Sequence, residues 1–329
     1  MRKLVISRTP LRVSFAGGGT DLPFFYRRET GVVIGSAIEK YVYVIVKPLE
    51  RVCPFSLRFM HGTEETATSV GELKHPIVRA ALEIVGITGG VDIMTLSDVP
   101  EGTGLGSSGS FTVGLLNALH AFVGCSPRPE VLAEQGCTLE TAYLGYEGGK
   151  QDQYFASYGG ASRFEFFPNG RVIWQPIHLD TAKKRLLQES LLLVFSGRTR
   201  PADSILREQR RLTECRMDDL REMKKLADRL YKHLLGDIIL EVFGGILDAD
   251  WALKRALAPG ITDPMIDQLY ETGLCAGALG GKVLGAGGGG FLLFCVPPNR
   301  RESVRGALRQ FPVVDFAIQA NGSEVWELP

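Results

Sequence analysis

The 329-residue chain has no surplus of either charge: 37 Lys and Arg stand against 37 Asp and Glu, for a formal net charge of zero. A balanced chain has no broad field to draw it onto nucleic acid or an anionic membrane, so any anion it binds must be held locally. No apolar run approaches the ~20 residues that cross a bilayer. The opening MRKLVISRTPLRV turns polar too soon for a secretory leader. Together these point to a cytoplasmic protein without a membrane or nucleic-acid partner. The six cysteines, Cys53, Cys125, Cys137, Cys215, Cys275 and Cys295, form no CxxC pair and have no His cluster beside them. Zinc spacings and redox motifs are therefore missing, and the cysteines read as reduced thiols, most of them in apolar surroundings and expected in the core. Internal repeats, low-complexity tracts and coiled-coil heptads are also absent.

What the chain does have is an ordinary globular balance, 45% hydrophobic and 22% charged, and an excess of glycine. Its 39 glycines exceed the usual share of ~7%. They are not spread as a linker but gather at 17–19, 102–109, 148–149, 159–160 and 285–290.

The first half reads as mixed α and β. Strands are expected at 4–7, 13–16 and 91–96, and the β-branched runs 32–38 and 41–46 suggest a hairpin. Helical spacing appears over 72–85, 111–123 and 129–144. A second hairpin is signalled by the turn residues Pro168, Asn169 and Gly170 between 161–167 and 172–177. Beyond a strand at 191–195, long helices are expected at 202–235, 239–257 and 263–274. Strands then return at 291–296 and 313–318, with a helix near 300–310 between them. The domain boundary falls near 176–184, giving domains of 1–178 and 179–329.

The most informative segment is Pro100-Glu-Gly-Thr-Gly-Leu-Gly-Ser-Ser-Gly-Ser110, between a strand and an apolar helix. A glycine loop feeding a helix N-terminus is a physical solution for holding phosphate. Small residues let the backbone approach, the free N–H groups of the first turn point at the anion, and the helix dipole adds favourable charge. No Lys completes a GxxxxGK[ST] loop, and the spacing fits GxGxxG poorly. Taken alone, the segment is equally a glycine-rich turn capped by Ser107 or Ser108.

Three segments in order narrow the choice: Arg8-Thr-Pro-Leu-Arg-Val-Ser-Phe-Ala-Gly-Gly-Gly-Thr-Asp21, the 100–110 loop, and Leu284-Gly-Ala-Gly-Gly-Gly-Gly-Phe291, with Gly149-Lys-Gln-Asp-Gln-Tyr154 between the last two. This order resembles the GHMP kinases, which include galactokinase, homoserine kinase and mevalonate kinase, over nearly the whole chain. The resemblance implies an α+β, two-domain GHMP kinase fold: a ribosomal protein S5 domain 2-like N-terminal domain with the ATP site, and a ferredoxin-like C-terminal domain. It implies ATP and Mg²⁺ as cofactors and a small-molecule sugar phosphate as acceptor. The wording of the first and GKQDQY segments is closest to the bacterial D-glycero-α-D-manno-heptose 7-phosphate kinases, which phosphorylate the anomeric hydroxyl on the way to surface polysaccharide precursors. Oligomeric state is not legible, a homodimer being one option.

Residue roles follow from the same resemblance. Gly102, Thr103, Gly104, Leu105, Gly106, Ser107 and Ser108 match the phosphate loop. Ser108 and Glu140 match the Mg²⁺ ligands, a hydroxyl and one carboxylate being sound chemistry for that ion. Asp152 matches the catalytic base, placed to take the acceptor's proton, and Arg12 the basic partner that mevalonate kinases replace with a nearby lysine. Asp21, after Gly17, Gly18, Gly19 and Thr20, matches an acid that binds sugar hydroxyls, with Gln151 close by. Gly288 and Gly289 would let the C-terminal domain approach the substrate. Galactokinases carry Gly-Glu-His where this chain has Gly17-Gly18-Gly19, which removes two bulky polar groups and argues for a different acceptor. Arg198 and Arg200 are the candidates for a distal phosphate, with Lys150 behind them. Fucose, galactose and other heptoses remain alternative acceptors, and a non-catalytic sugar sensor is the alternative of another class.

Overall fold

The computed structural model describes residues 3–50, 52–200 and 203–328. The first half runs β1 (Leu4–Ala16), α1 (Pro23–Tyr26), β2 (Gly31–Pro48), β3 (Leu57–His61), β4 (Thr63–Ala67), α2 (Pro76–Val85), β5 (Val91–Ser97), α3 (Ser107–Phe122), α4 (Pro129–Thr138), α5 (Gln151–Tyr158), β6 (Ala161–Phe166) and β7 (Val172–Pro176). The second half continues with α6 (Thr181–Ser190), β8 (Leu191–Phe195), α7 (Asp203–Leu235), α8 (Leu240–Ala256), α9 (Pro264–Cys275), β9 (Gly280–Val283), β10 (Phe291–Cys295), α10 (Arg301–Ala307), β11 (Val313–Val314) and β12 (Glu324–Leu328).

Two sheets organise the chain. The larger has the order β12-β1-β2-β5-β3-β4, with β6 on β2 and β7 on β6. The smaller is antiparallel, β11-β8-β10-β9. Numbered within its own half, the smaller sheet has the order 4-1-3-2, the β-α-β-β-α-β arrangement of a ferredoxin-like unit.

The expected hairpin of 32–46 does not form. Those residues are one continuous strand, β2, which changes partner along its length: Gly31–Ser36 pairs with β6 and Val42–Pro48 with β5, while β1 runs beside both parts. No Gly, Asn or Pro breaks the run at Glu39-Lys40, so the chain bends through β-bulges instead. The strands expected at 4–7 and 13–16 are likewise one strand, β1, with a register shift at Pro10/Leu11. The helix expected over 129–144 ends as α at Thr138 and continues as a π turn, Leu139–Tyr143. The helix anticipated from 202 is described from Asp203, its first residue lying outside the described residues.

β12 pairs antiparallel with β1, so the chain's end returns to the sheet of the first half instead of staying within the expected 179–329 unit. The main apolar core also crosses that division, joining Leu115 and Leu119 of α3 to Ala227 and Leu230 of α7 and Phe243 of α8. Helix α3 packs on β1, β2 and α5, and its residues from Gly109 to Leu119 are buried throughout, which explains an apolar stretch without a polar stripe. The cysteine expectation fails in part. All six are free thiols, but only Cys137 and Cys295 are buried, while Cys125, Cys215 and Cys275 are exposed. Cys125 follows the end of α3, Cys215 lies on the charged face of α7, and Cys275 is the last residue of α9.

Candidate active site

A cavity of about 460 Å³ lies between the two halves. Its floor is the loop leading into α3. Gly102, Gly104 and Gly106 all have positive φ, 71°, 83° and 77°, so the loop turns back on itself in a way L-residues resist. Gly106 is the N-cap of α3, and a Cβ there would lie 3.2 Å from both Arg12 Cγ and Asp152 Cγ. The loop is therefore side-chain-free where the two charged groups meet it. Ser107, Ser108 and Gly109 open the helix and border the cavity, so first-turn N–H groups without intrahelical partners lie at its wall.

Arg12 and Asp152 form an ion pair at this loop. Arg12 Nε donates to Asp152 Oδ1 at 2.9 Å and Nη2 lies 2.7 Å from the same oxygen, while Nη1 donates to the Gly104 carbonyl at 2.5 Å. The guanidinium is 4% exposed and the carboxylate 28%, and both residues line the cavity, the carboxylate being the more open of the two. Asp152 lies in the first turn of α5, which is seated by close packing: a Cβ at Gly109 would fall 2.6 Å from Asp152 Cβ.

Asp21 fixes the start of α5. Its Oδ1 accepts from Gly19 N at 3.0 Å and Gln151 Nε2 at 3.2 Å, and its Oδ2 from Gln151 N at 3.2 Å. Burial raises its pKa and the Asp152 charge adds to the rise, with the Gly19 hydrogen bond working against both. Much of its accepting capacity is spent within the protein, so Asp21 ties the 17–21 loop to α5 as well as bordering the cavity. Beside it, Ser14 Oγ and Gln151 Oε1 are buried with no hydrogen-bond partner among the described residues. Both residues line the cavity, and orphaned polar atoms of this kind suit a hydroxyl-rich ligand.

Glu140 sits in the π turn, buried, and accepts from Thr112 Oγ1 at 2.7 Å. Burial lifts its pKa to about 7, against the Thr112 and Gln153 hydrogen bonds and with a contribution from Asp152. No arginine or lysine enters that balance. A buried carboxyl at the cavity wall with no ion-pair partner among the described residues fits a divalent-cation ligand, and the exposed hydroxyl-bearing Ser108 borders the same space.

Not every sequence candidate reaches the cavity. Thr20 is buried, its hydroxyl within hydrogen-bond distance of the Gly17 and Val32 carbonyls and accepting from Val32 N at 2.9 Å, holding the loop. A Cβ at Gly17 would meet Val32 O at 2.0 Å. Thr103 and Leu105 are buried supports of the glycine loop ahead of α3. Of the two arginines, Arg200 borders the cavity, but Arg198 pairs with Asp263 at 3.1 Å and does not. Lys150 is committed to Glu134 at 3.0 Å. Gly289 lines the cavity, whereas Gly288 lies behind it near Gly260.

Three residues missed in the sequence matter here. Asp250 and Lys254 lie four apart on the apolar face of α8, beside Trp251, and charges on a buried face are the signal that marks them. Asp250 pairs with Lys282 of β9, accepts from Gly17 N at 3.0 Å, and is fully buried. Lys254 Nζ donates to the carbonyls of Val283 at 3.0 Å and Gly285 at 2.5 Å. Burial and then Lys282 push its pKa down to about 7. An unfolded lysine titrates near ~10.4, so between roughly pH 7 and 10 the unfolded chain binds more protons than the folded one. Stability from this group therefore rises with pH across that window. The wild-type minus Lys254→Met difference in Tm should grow more positive from pH 7 to 9.5, and a flat difference would contradict the shift.

The opposite end of the cavity is apolar and aromatic, with His75, Pro76, Ile77 and Phe111 on its wall. His75 Nδ1 caps α2 at Val78 N, and its ring packs edge-on at 4.9 Å from Phe59. Burial lowers its pKa, with His61 adding to the fall, which leaves a neutral ring in this apolar wall.

Comparison with known proteins adds to this geometry. Residues 74–160 match the family described as the GHMP kinases N terminal domain, and residues 239–313 the GHMP kinases C terminal. The chain is 27% identical to the D-glycero-alpha-D-manno-heptose 7-phosphate kinase of Campylobacter jejuni, over 99% of its own length and 100% of that protein. It is also 27% identical to the L-fucokinase/L-fucose-1-P guanylyltransferase of Bacteroides fragilis, over 92% of this chain and 35% of that longer protein. In fold it is similar to a crystal structure described as a D-glycero-D-manno-heptose 1-phosphate kinase from Bacteroides thetaiotaomicron. The TM-score is 0.83 at 24% identity, with 99% of each chain covered.

Proposed function

Since the chain belongs to the GHMP kinases, with their two-domain α+β fold and their ATP-dependent phosphotransfer, we propose that its acceptor is D-glycero-α-D-manno-heptose 7-phosphate. The product is the 1,7-bisphosphate, a precursor for a bacterial surface polysaccharide. The observation that carries the chemistry is the Arg12–Asp152 pair against the side-chain-free loop at Gly104 and Gly106. The heptose reading is supported by the full-length likeness to the Campylobacter jejuni heptose 7-phosphate kinase. The open Gly18-Gly19 wall and the unpartnered Ser14 Oγ and Gln151 Oε1 also support it, since they suit several sugar hydroxyls.

In this reading, ATP phosphates lie on the amides of Gly104 to Ser108 at the start of α3. The base occupies the apolar end beside His75 and Phe111. Ser108 and Glu140 would hold Mg²⁺, which when bound neutralises phosphate charge. Asp152 takes the proton of the anomeric hydroxyl as its oxygen bonds to the γ-phosphorus and the bond to the bridging oxygen of ADP breaks. The proton then passes from Asp152 to water. Arg12 keeps Asp152 oriented and keeps a positive charge at the transferring group. Arg200, the cavity arginine without a carboxylate partner among the described residues, is the candidate for the distal phosphate.

A second reading has its own support: the fucokinase segment of the Bacteroides fragilis protein also aligns with nearly the whole chain. An ATP-coupled assay over heptose 7-phosphate, free heptose, heptose 1-phosphate, fucose and galactose decides between them. The expected result is a kcat/KM for heptose 7-phosphate at least about 10²-fold above that for any unphosphorylated sugar, the cost of leaving a site's polar groups unpaired. A preference for fucose would overturn the heptose assignment, and binding without turnover would point to a sensor.

A further inference from the structure

The Arg12–Asp152 pair does not stand alone in the fold; a series of direct contacts ties it to a buried lysine amine on the opposite domain. Lys254 of α8 is 6% exposed, borders the cavity, and gives its N–H bonds to the Val283 and Gly285 carbonyls. Its amine has no carboxylate at ion-pair distance among the described residues; the nearby Asp250 is taken by Lys282. The turn it holds is the one that lies on the phosphate loop. A Cβ at Gly285 would fall 2.6 Å from Gly104 Cα, and a Cβ at Gly104 would fall 2.6 Å from Leu284 O. Gly104 in turn gives its carbonyl to Arg12, and Arg12 holds Asp152.

A leucine or methionine would fill the same volume without a desolvated charge, so packing alone does not account for a lysine here. Its N–H donors do one thing apolar packing cannot: they draw the Val283 and Gly285 carbonyls of a glycine-rich turn to one point. With Gly285 and Gly104 in backbone contact, the position of that point sets where Gly104 presents its carbonyl to Arg12. The other charged groups near the amine are Lys282, Asp250, Arg12 and Asp21.

We propose that Lys254 is a positioning residue: it clamps the C-terminal glycine turn onto the phosphate loop and so fixes the Arg12–Asp152 pair for proton removal. The inference rests on the reading of Asp152 as the base. It goes beyond that reading by placing part of the base's alignment in the C-terminal domain. It also sets an expectation about rate: misplacing a catalytic group by about an ångström costs up to about 10²-fold.

The test is a double-mutant cycle on the full-length protein, with kcat, both KM values and Tm recorded for Lys254→Met, Lys254→Arg, Asp152→Asn and Lys254→Met/Asp152→Asn. The expected result is a fall in kcat of about 10- to 100-fold in Lys254→Met, with KM for ATP within about 3-fold and a Tm equal to or above that of the wild type. Lys254→Arg, which keeps N–H donors for the two carbonyls, recovers most of the lost kcat. In the Asp152→Asn background, Lys254→Met should lower kcat no further, because the group it positions is already gone. If Lys254→Met fails to fold, Lys254→Gln, too short to reach both carbonyls, carries the same cycle. Additive losses, or an unchanged kcat in the single variant, would overturn the clamp while leaving the base assignment standing. Full activity in Asp152→Asn would remove the base assignment instead, and the clamp with it.

Discussion

Asp152→Asn should fold with an unchanged Tm, still bind ATP, and turn over about 10²–10⁴-fold more slowly than the wild type, the usual worth of a positioned general base. The amide is nearly isosteric, so the close packing of α5 on Gly109 survives. What it loses is the ability to accept the acceptor's proton and the negative charge that pairs with Arg12, the amide oxygen remaining as a neutral acceptor. Arg12, 4% exposed, keeps its hydrogen bond to the Gly104 carbonyl, so it is not left without a partner. The change should therefore appear in kcat far more than in either KM. A single-turnover experiment with saturating ATP and acceptor reads the chemical step directly. Retention of more than about a tenth of wild-type kcat would remove Asp152 from the role of base.

Lys282→Met should destabilise the protein by about 3–5 kcal/mol, the cost of stripping one partner from a buried ion pair. Lys282 is 1% exposed and its partner Asp250 is fully buried. Without the ammonium, the Asp250 carboxylate keeps, among the described residues, the Gly17 N–H as its one hydrogen-bond donor. At an unfolding entropy of ~2.1 cal/mol/K per residue, a chain of this size should lose about 4–7 °C in Tm. The Phe15 carbonyl also loses its Lys282 donor, at 3.2 Å, which works in the same direction. Because the pair joins α8 and β9 to the loop at Gly17, heat should also loosen the cavity wall at Gly18 and Gly19. Lys282→Met/Asp250→Leu, with no charge left to bury, should regain much of the stability. A Tm shift under about 1 °C in the single variant would mean that the two charges are not held together away from water.

The site was legible in part, and the divide follows the physics. The glycine loop stands out by composition, since backbone must approach an anion there, whereas Arg12, Glu140 and Asp152 are marked only through the resemblance of their segments to the GHMP kinases. Arg198 looked as suitable as Arg200. Nothing in Ser-Gly-Arg-Thr-Arg reveals that one guanidinium meets Asp263 and the other the cavity. Lys254 and Lys282 were passed over because a lysine in a helix or strand is usually a solvated one. Among the elements, α3, α7 and α9 were readable from apolar spacing, whereas β3 and β4 were not. Glu64, Glu65 and the threonines around them have the composition of a loop, and they become a strand only because β3 offers them a ladder.

In the sequence, local chemistry marked a loop poor in side chains at a helix start, and the order of the glycine segments, through its resemblance to the GHMP kinases, pointed to an ATP-dependent kinase with an acid–arginine pair. Such signals lie within a few positions of one another along the chain. The long fold of β2 across two partners, the return of β12 to β1, and the meeting of Gly104 with Gly285 came from packing between segments far apart in the chain. Pairwise contacts at such separations depend on where the whole core closes, and no window of the sequence contains that information.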